Sequence, residues 1–421
     1  MANAKKNITI LALGSLGDIQ PLVALGKGIR NAGHSVKFAT NDCFASLVKD
    51  NGLDFSRLSG NFPAAVIEDH ETFARKGGDP IAMTKALGRI WKPSAAFWTE
   101  EGMAACEDAD FIIANFFAEY LGASFAEKLK IPFVRVWVVP GALVSSFPMS
   151  KTSIKHWFLQ HVMNGIFWQS MRSVINRSLR TTLELKPYPW YGPQYKWRKE
   201  QIPVLFPFSN QVTQWADNYL PKFAKITGYW FLDSNDSWQP PADLLDFLEE
   251  GEKPIYVGFG SNPILNTEHM NEIILKAIQK SNKRAIVQAG LGGTGDFQKD
   301  IDDVNIFPVN FVPFDWLFPK VEVAVHHGGA GTTGLAVRAG IPSIVAYFVA
   351  DQPFWGESLY NLGVAPAPIP LKSLTSELLA KSIKLASDES MQKNTQDLGN
   401  RIRSEDGISN TIAALKGWDL L

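Results

Sequence analysis

Residues 321–333 read Val-Glu-Val-Ala-Val-His-His-Gly-Gly-Ala-Gly-Thr-Thr, an apolar run that ends in glycines and opens a helical pattern. The pattern predicts a buried strand over 321–326, a helix over 332–339 and another strand over 343–347. Strand, glycine loop, helix and strand in succession form the unit of a parallel α/β sheet. A helix N-terminus leaves backbone N–H groups unpaired and carries partial positive charge, and glycines let an anion approach the backbone. His327, Gly329, Ala330, Gly331, Thr332 and Thr333 are therefore candidate phosphate-binding residues. The bland alternative is a tight turn whose glycines serve packing alone. The loop lacks the Gly-Lys-Ser/Thr ending of a P-loop and the spacing of a dinucleotide fingerprint. His326 is expected to end its strand and pack.

Outward from this loop the same grammar recurs. Towards the N-terminal side, 254–259 reads as a strand ending in Gly260-Ser261, followed by a helix over 270–281 and strands over 284–288 and 304–311. Gly290–Gly295 (GLGGTG) also follows a strand, but no acidic residue stands at the distance a ribose partner needs, so it reads as a loop. The beginning of the chain repeats the theme: a strand over 8–13, the loop Gly14-Ser15-Leu16-Gly17-Asp18, a helix from Pro21 and a strand over 35–40. Strands over 111–115 and 133–139 flank a helix over 118–129. The expectation is two α/β halves: an N-terminal domain over 1–235, a linker at 236–241 within the polar, proline-bearing stretch 233–241, and a C-terminal domain over 242–400. A last helix over 401–421 is expected to return to the first domain.

Composition limits the function classes. The 421 residues are 46% hydrophobic and 20% charged, enough for large cores and too apolar for disorder. Lys and Arg number 41 against 42 Asp and Glu, which argues against nucleic-acid binding by overall charge. Cys43 and Cys106 give neither a disulfide framework nor a zinc spacing and suit a reducing, cytoplasmic compartment. The first residues are polar, and no window approaches the ~20 apolar residues of a spanning helix. Asp108-Ala109-Asp110 and Asp300-Ile301-Asp302 read as solvated turns, and no metal site is expected.

The segment 151–200 stands apart, with nine basic residues, two acidic ones and six Trp or Phe, Trp157 and Trp168 among them. It reads either as an amphipathic helical insertion on the first domain or as a basic, aromatic surface that meets anionic lipid or an apolar acceptor.

HHGGAGTT, VADQPFWG (349–356) and GSLGDIQP (14–21) together resemble the nucleotide-sugar-dependent glycosyltransferases of the GT-B fold. The resemblance is to sterol 3-β-glucosyltransferases and bacterial antibiotic glycosyltransferases. VPFDWLFPKV (312–321) and GVAPAPIP (363–370) are most similar to the sterol branch. Two Rossmann-like domains facing across a cleft are implied. So is a UDP-sugar donor as co-substrate, with no further cofactor. The resemblance implies that His327 and the Gly329–Thr333 groups bind the diphosphate with Ser261, that Val312 meets the uracil, and that Asp351 and Gln352 bond the sugar. It implies Asp18 as catalytic base, where the residues alone also allow a helix N-cap. Phe314 stands where the sterol branch carries His, and Asn262 where it carries a short apolar residue.

These readings predict an inverting, metal-independent transfer of a hexose from UDP-glucose to a sterol or similar polycyclic alcohol. A polyketide, phenolic or other natural-product acceptor is the alternative. A nucleotide-sugar epimerase and a non-enzymatic lipid-binding module are the readings from other classes. The donor motifs all follow residue 254, and ten of the 13 Trp lie at or before Trp238. The acceptor is therefore expected in the first half, with Trp157 and Trp168 as candidates and a membrane surface as a peripheral partner.

Overall fold

The computed structural model describes residues 4–62, 80–138, 165–215, 220–234, 238–260, 267–288, 305–348 and 351–421, the side chains of 80–87 excepted. Ser261, Asn262, Trp157, Gly290–Gly295 and Asp300–Asp302 lie outside the described residues.

The first sheet has seven parallel strands: β1 (Asn7–Leu11), β2 (Ser35–Thr40), β3 (Asp54–Arg57), β4 (Phe111–Asn115), β5 (Phe133–Val136), β6 (Val204–Phe206) and β7 (Ala224–Ile226). Their spatial order is β3-β2-β1-β4-β5-β6-β7. The second sheet has six: β8 (Ile255–Gly258), β9 (Ala285–Gln288), β10 (Ile306–Val309), β11 (Ala324–His326), β12 (Ser343–Tyr347) and β13 (Ile369–Pro370), in the order β10-β9-β8-β11-β12-β13. Every residue of β4 and of β8 is buried, as expected of strands covered on both faces. In each sheet the order reverses next to the first strand, between β1 and β4 and between β8 and β11. Crevices for ligands open beyond the carboxyl ends of strands at such points.

The chain differs from the sequence expectation at several places. The first helix runs Leu16–Asn31, with Pro21 inside it, rather than starting at Pro21. Ser15 in extended conformation ends the loop, so the first turn forms ahead of the proline. A 27-residue helix, Pro80–Cys106, precedes β4, although the apolar pattern there is weak. Strands β3, β6 and β7 are three or four residues long, too short for a period to declare itself. Asp108 and Asp110 are engaged rather than merely solvated: Lys37 pairs with Asp108 at 2.6 Å, and Asn7 N–H donates to Asp110 at 2.7 Å.

Both halves share one aromatic seam. Trp355 lies edge-on to Phe208 at 5.5 Å, within a cluster that joins Phe206 and Trp215 to Leu359, Leu398 and Ile402. Leu398 and Ile402 belong to the helix Glu389–Arg403, so the expected boundary at 400/401 falls inside a continuous helix. The following helix, Gly407–Gly417, lies against the first half: Trp230 donates to Thr411 at 2.8 Å, and Leu415 packs with Leu22, Leu25 and Ile29. At the expected linker, Arg338 pairs with Asp233, and Ser234 donates from N and Oγ to Asp315 at 2.7 and 2.6 Å.

Candidate active site

The loop after β1 delivers Asp18. Gly14 has φ +130, and a Cβ there would lie 2.5 Å from Asp18 Oδ2, so the turn requires glycine. Ser15, not Asp18, is the N-cap. Asp18 is the third helical residue, and its Oδ2 accepts from Ser15 N and Ser15 Oγ, both at 2.8 Å. The capping alternative is thus met in another form, and it occupies only one carboxylate oxygen. Asn115, at the end of β4, fixes the loop from beneath: its Nδ2 donates to Leu13 O at 2.6 Å and its Oδ1 accepts from Leu13 N at 3.2 Å. Asn115 carries no motif in a single sequence, and the adjacency of β1 and β4 alone reveals it.

Burial pushes the Asp18 carboxyl up to about 6, against the lowering effect of its two bonds from Ser15. Asp351 is likewise raised to about 6, mainly by burial, and the charge of Asp18 adds to the shift. The two carboxylates come from different halves, and the charge of Asp18 is felt at Asp351. Trp355 Nε1 donates to Asp351 Oδ2 at 2.6 Å and orients it at the start of the helix Gln352–Asn361. Gln352 is 7% exposed, with Oε1 accepting from Phe348 N at 2.7 Å, so one end of this amide already holds the loop after β12.

The glycine loop starts the helix Ala330–Ala339, two residues earlier than its sequence pattern suggests, with Gly329 as N-cap. The first helical bond runs from Thr333 N to Gly329 O, at 2.9 Å, so the amides of Ala330, Gly331 and Thr332 precede the ladder. A Cβ on Gly331 would meet nothing within 4 Å, which leaves this amide open to an anion. Gly328 has φ +86, and a Cβ there would come within 2.6 Å of Val345 Cγ1, so this glycine serves the turn itself. Both functions of the glycines coexist.

His326 Nε2, His327 Nδ1 and Thr333 Oγ1 are buried and have no hydrogen-bond partner among the described residues. Three such atoms in eight residues mark a place where a polar ligand would be satisfied. His326 is 0% exposed, and its Nδ1 accepts from Gly328 N at 3.0 Å. It does end its strand, and it also braces the loop. Burial lowers His326 to about 3 and His327 to about 4, so both rings are neutral at physiological pH. A neutral His327 offers an anion one N–H donor and no positive charge. His327→Ala is expected to weaken UDP binding about ten- to a hundredfold, the worth of one bond to a charged group. Calorimetric titration with UDP checks this, and unchanged affinity would assign His327 to packing.

Val312 is 5% exposed and leads through Pro313 into the short helix Phe314–Leu317. Phe314 stacks on Phe318 at 4.6 Å and lies edge-on to Tyr256 at 5.3 Å, so its ring serves packing. Trp168 does not fit an acceptor site. It is 1% exposed, packs against Tyr120 and Tyr188, and donates its indole N–H to Trp190 O at 2.8 Å.

Comparison with known proteins agrees with this architecture. Residues 8–147 match the Glycosyltransferase family 28 N-terminal domain, and residues 291–412 match the Erythromycin biosynthesis protein CIII-like C-terminal domain. The crystal structure of the glycotransferase of kitacinnamycin superposes with a TM-score of 0.72 at 18% identity, covering 99% of this chain and 100% of its own. CalG4, the calicheamicin glycosyltransferase, gives 0.66 at 14% identity, covering 99% of this chain and 98% of its own. The fold is GT-B. Two sterol 3-beta-glucosyltransferases of Arabidopsis thaliana, UGT80A2 and UGT80B1, are 32% and 31% identical over 97% of this chain, and the match spans 64% and 67% of their lengths. A Neosartorya fischeri sterol 3-beta-glucosyltransferase is 32% identical over 97% of this chain but 29% of its own length. The chain belongs to the sterol 3-beta-glucosyltransferase family and spans less than two thirds of the length of two of these three relatives.

Proposed function

We propose that the chain transfers a hexose, glucose from UDP-glucose, to the hydroxyl of a sterol or similar polycyclic alcohol, with inversion and without a metal. The observation that carries this reading is the start of the helix Ala330–Ala339, where His326 Nε2, His327 Nδ1 and Thr333 Oγ1 are buried without a partner among the described residues and Gln352, next to Asp351, lies against Gly328.

The donor diphosphate sits at the amides of Ala330, Gly331 and Thr332, with Ser261, His327 and Thr333 as further partners and the base against Val312. Asp351 and Gln352 hold the sugar hydroxyls. The acceptor oxygen attacks the anomeric carbon from the side of the first half. Its proton passes to Asp18 as the new C–O bond forms, and the bond to the diphosphate breaks, the electron pair leaving with the phosphate oxygen. A carboxylate with a pKa near 6 is still ionised at neutral pH and is a stronger base than a solvated aspartate. The preorganised amides stabilise the charge that develops on the leaving group.

Chelation by EDTA is expected to leave the rate within about twofold, because helix-terminus amides take the role a divalent ion would play. Loss of activity that returns on adding a divalent ion would contradict this. The function itself is tested by offering radiolabelled UDP-sugars with sterols, flavonoids and small sugars as acceptors. Turnover of a sterol or other polycyclic alcohol supports the reading. Turnover confined to small hydrophilic acceptors overturns it.

A further inference from the structure

The aromatic residues of the segment after 164 divide into two sets. Phe167, Trp168, Tyr188 and Trp197 lie in the core beside the helix Glu119–Leu129. Trp190, Tyr191 and Tyr195 point outward, 68%, 54% and 69% exposed, and these are among the most exposed aromatic residues described. Large aromatics grouped on a surface mark an interaction site rather than ordinary surface composition.

Their exposure is built into the loop. Buried Arg180 donates to Lys186 O at 2.6 Å and lies 3.7 Å from the Tyr188 ring centre. Asn176 bonds Tyr188 twice, at 3.0 and 2.9 Å. Trp168 and Gln169 both donate to Trp190 O, at 2.8 and 2.6 Å. With its backbone pinned at three successive points, the loop holds the Trp190 and Tyr191 rings, edge-to-face at 5.8 Å, away from the core. The helix Gln194–Lys199 then buries Trp197, so Tyr195 and Lys199, four residues apart, share the opposite face.

The charge around these rings is predominantly positive, and the two acidic residues of the segment are paired, Glu184 with Lys128 at 3.0 Å and Glu200 with Lys196 at 4.0 Å. Arg172, Lys186, Arg198 and Lys199 are exposed and have no ion-pair partner among the described residues, whereas the whole chain has a net charge of −1. Arg172 lies one turn beyond Gln169, which itself touches the loop at Trp190. Tryptophan and tyrosine rings settle at the headgroup level of a bilayer, and clustered Lys and Arg are drawn to anionic lipid.

We infer that Trp190, Tyr191 and Tyr195, ringed by Arg172, Lys186, Arg198 and Lys199, form a docking surface for the anionic face of a lipid bilayer. The surface holds the first half against the membrane, and it does so whatever the acceptor is. An apolar alcohol that partitions into lipid would then reach the cleft without crossing water.

Co-sedimentation of the full chain with vesicles tests this. Binding is expected to vesicles of phosphatidylcholine with phosphatidylserine, to be weak to phosphatidylcholine alone, and to fall with salt. Each of Lys186→Glu, Arg198→Glu and Lys199→Glu should weaken binding about fivefold or more. Trp190→Ser with Tyr191→Ser should reduce binding while leaving UDP affinity and the melting temperature near the parent values. In the parent protein, tryptophan emission should shift to the blue on adding anionic vesicles, and Trp190→Phe should diminish the shift. Equal binding of parent and variants, or no binding to anionic vesicles at low salt, overturns the inference. Neither result bears on glycosyl transfer, which is read separately with soluble acceptors.

Discussion

Replacing Asp18 with Asn should lower the rate of transfer by a factor of about a hundred or more, with UDP affinity unchanged. Loss of a general base typically costs a factor of that size. Asparagine keeps the shape and an oxygen to accept from Ser15, so the helix start should survive. The diphosphate groups belong to the other half, so UDP should bind normally. Retention of more than about a tenth of the parent rate would remove Asp18 from the role of base. The pH dependence gives a second reading. The parent rate should fall as pH drops through about 6, where Asp18 takes up the proton it must be free to accept. Because Asp351 is raised to a similar value and feels Asp18, the acid limb belongs to the pair rather than to either carboxylate. The stability effect has the opposite sign. A carboxyl whose pKa is higher in the folded state favours folding below its unfolded value near 3.8, and that contribution is lost as pH rises through about 6. Asp18→Asn should therefore raise the melting temperature at neutral pH relative to the parent, with the difference shrinking towards pH 4.

Asp351→Ala is expected to cost a similar or larger factor in kcat/KM, by a different route. One carboxylate oxygen is held by the Trp355 indole, and the other remains for a donor hydroxyl. A site built to bond a substrate hydroxyl loses about a thousandfold or more when that match is broken, since the remaining buried groups are left unpaired. UDP, which carries no sugar, should bind Asp351→Ala as it binds the parent, whereas UDP-glucose should bind more weakly. His327→Ala should weaken both ligands. Titration of the three proteins with UDP and with UDP-glucose separates the sugar contact from the phosphate contact. Equal loss of both ligands in Asp351→Ala would place this carboxylate in the phosphate site or in the scaffold of the seam around Trp355.

Much of this architecture is legible in the sequence. The strands Phe111–Asn115 and Ser343–Tyr347 coincide with their patterns, because a strand buried on both faces is a short, largely apolar run between turns. The glycine loop declared a helix start because only glycine tolerates the turn at Gly328. Hydrophobic period misled where the signal is of another kind. The first helix begins at Leu16, because Asp18 reaches back to Ser15, a contact that no hydrophobic period records. Trp168 and Trp190, 22 residues apart, are both tryptophans in an aromatic, basic segment, and only packing separates the buried ring from the exposed one.

The sequence by itself determined the two parallel-sheet halves, the phosphate-type loop and the type of each candidate side chain, since these depend on periods of two and 3.6 residues and on glycine at turns. Tertiary structure alone decided what stands opposite what. Asp18 and Asp351 are more than 300 positions apart, and the charge of Asp18 reaches Asp351 only because the seam of Phe208 and Trp355 sets one sheet against the other. The pKa near 6 that each carries follows from desolvation at that meeting. Desolvation is a property of the surrounding volume, filled by residues from distant parts of the chain, and no window of sequence contains it.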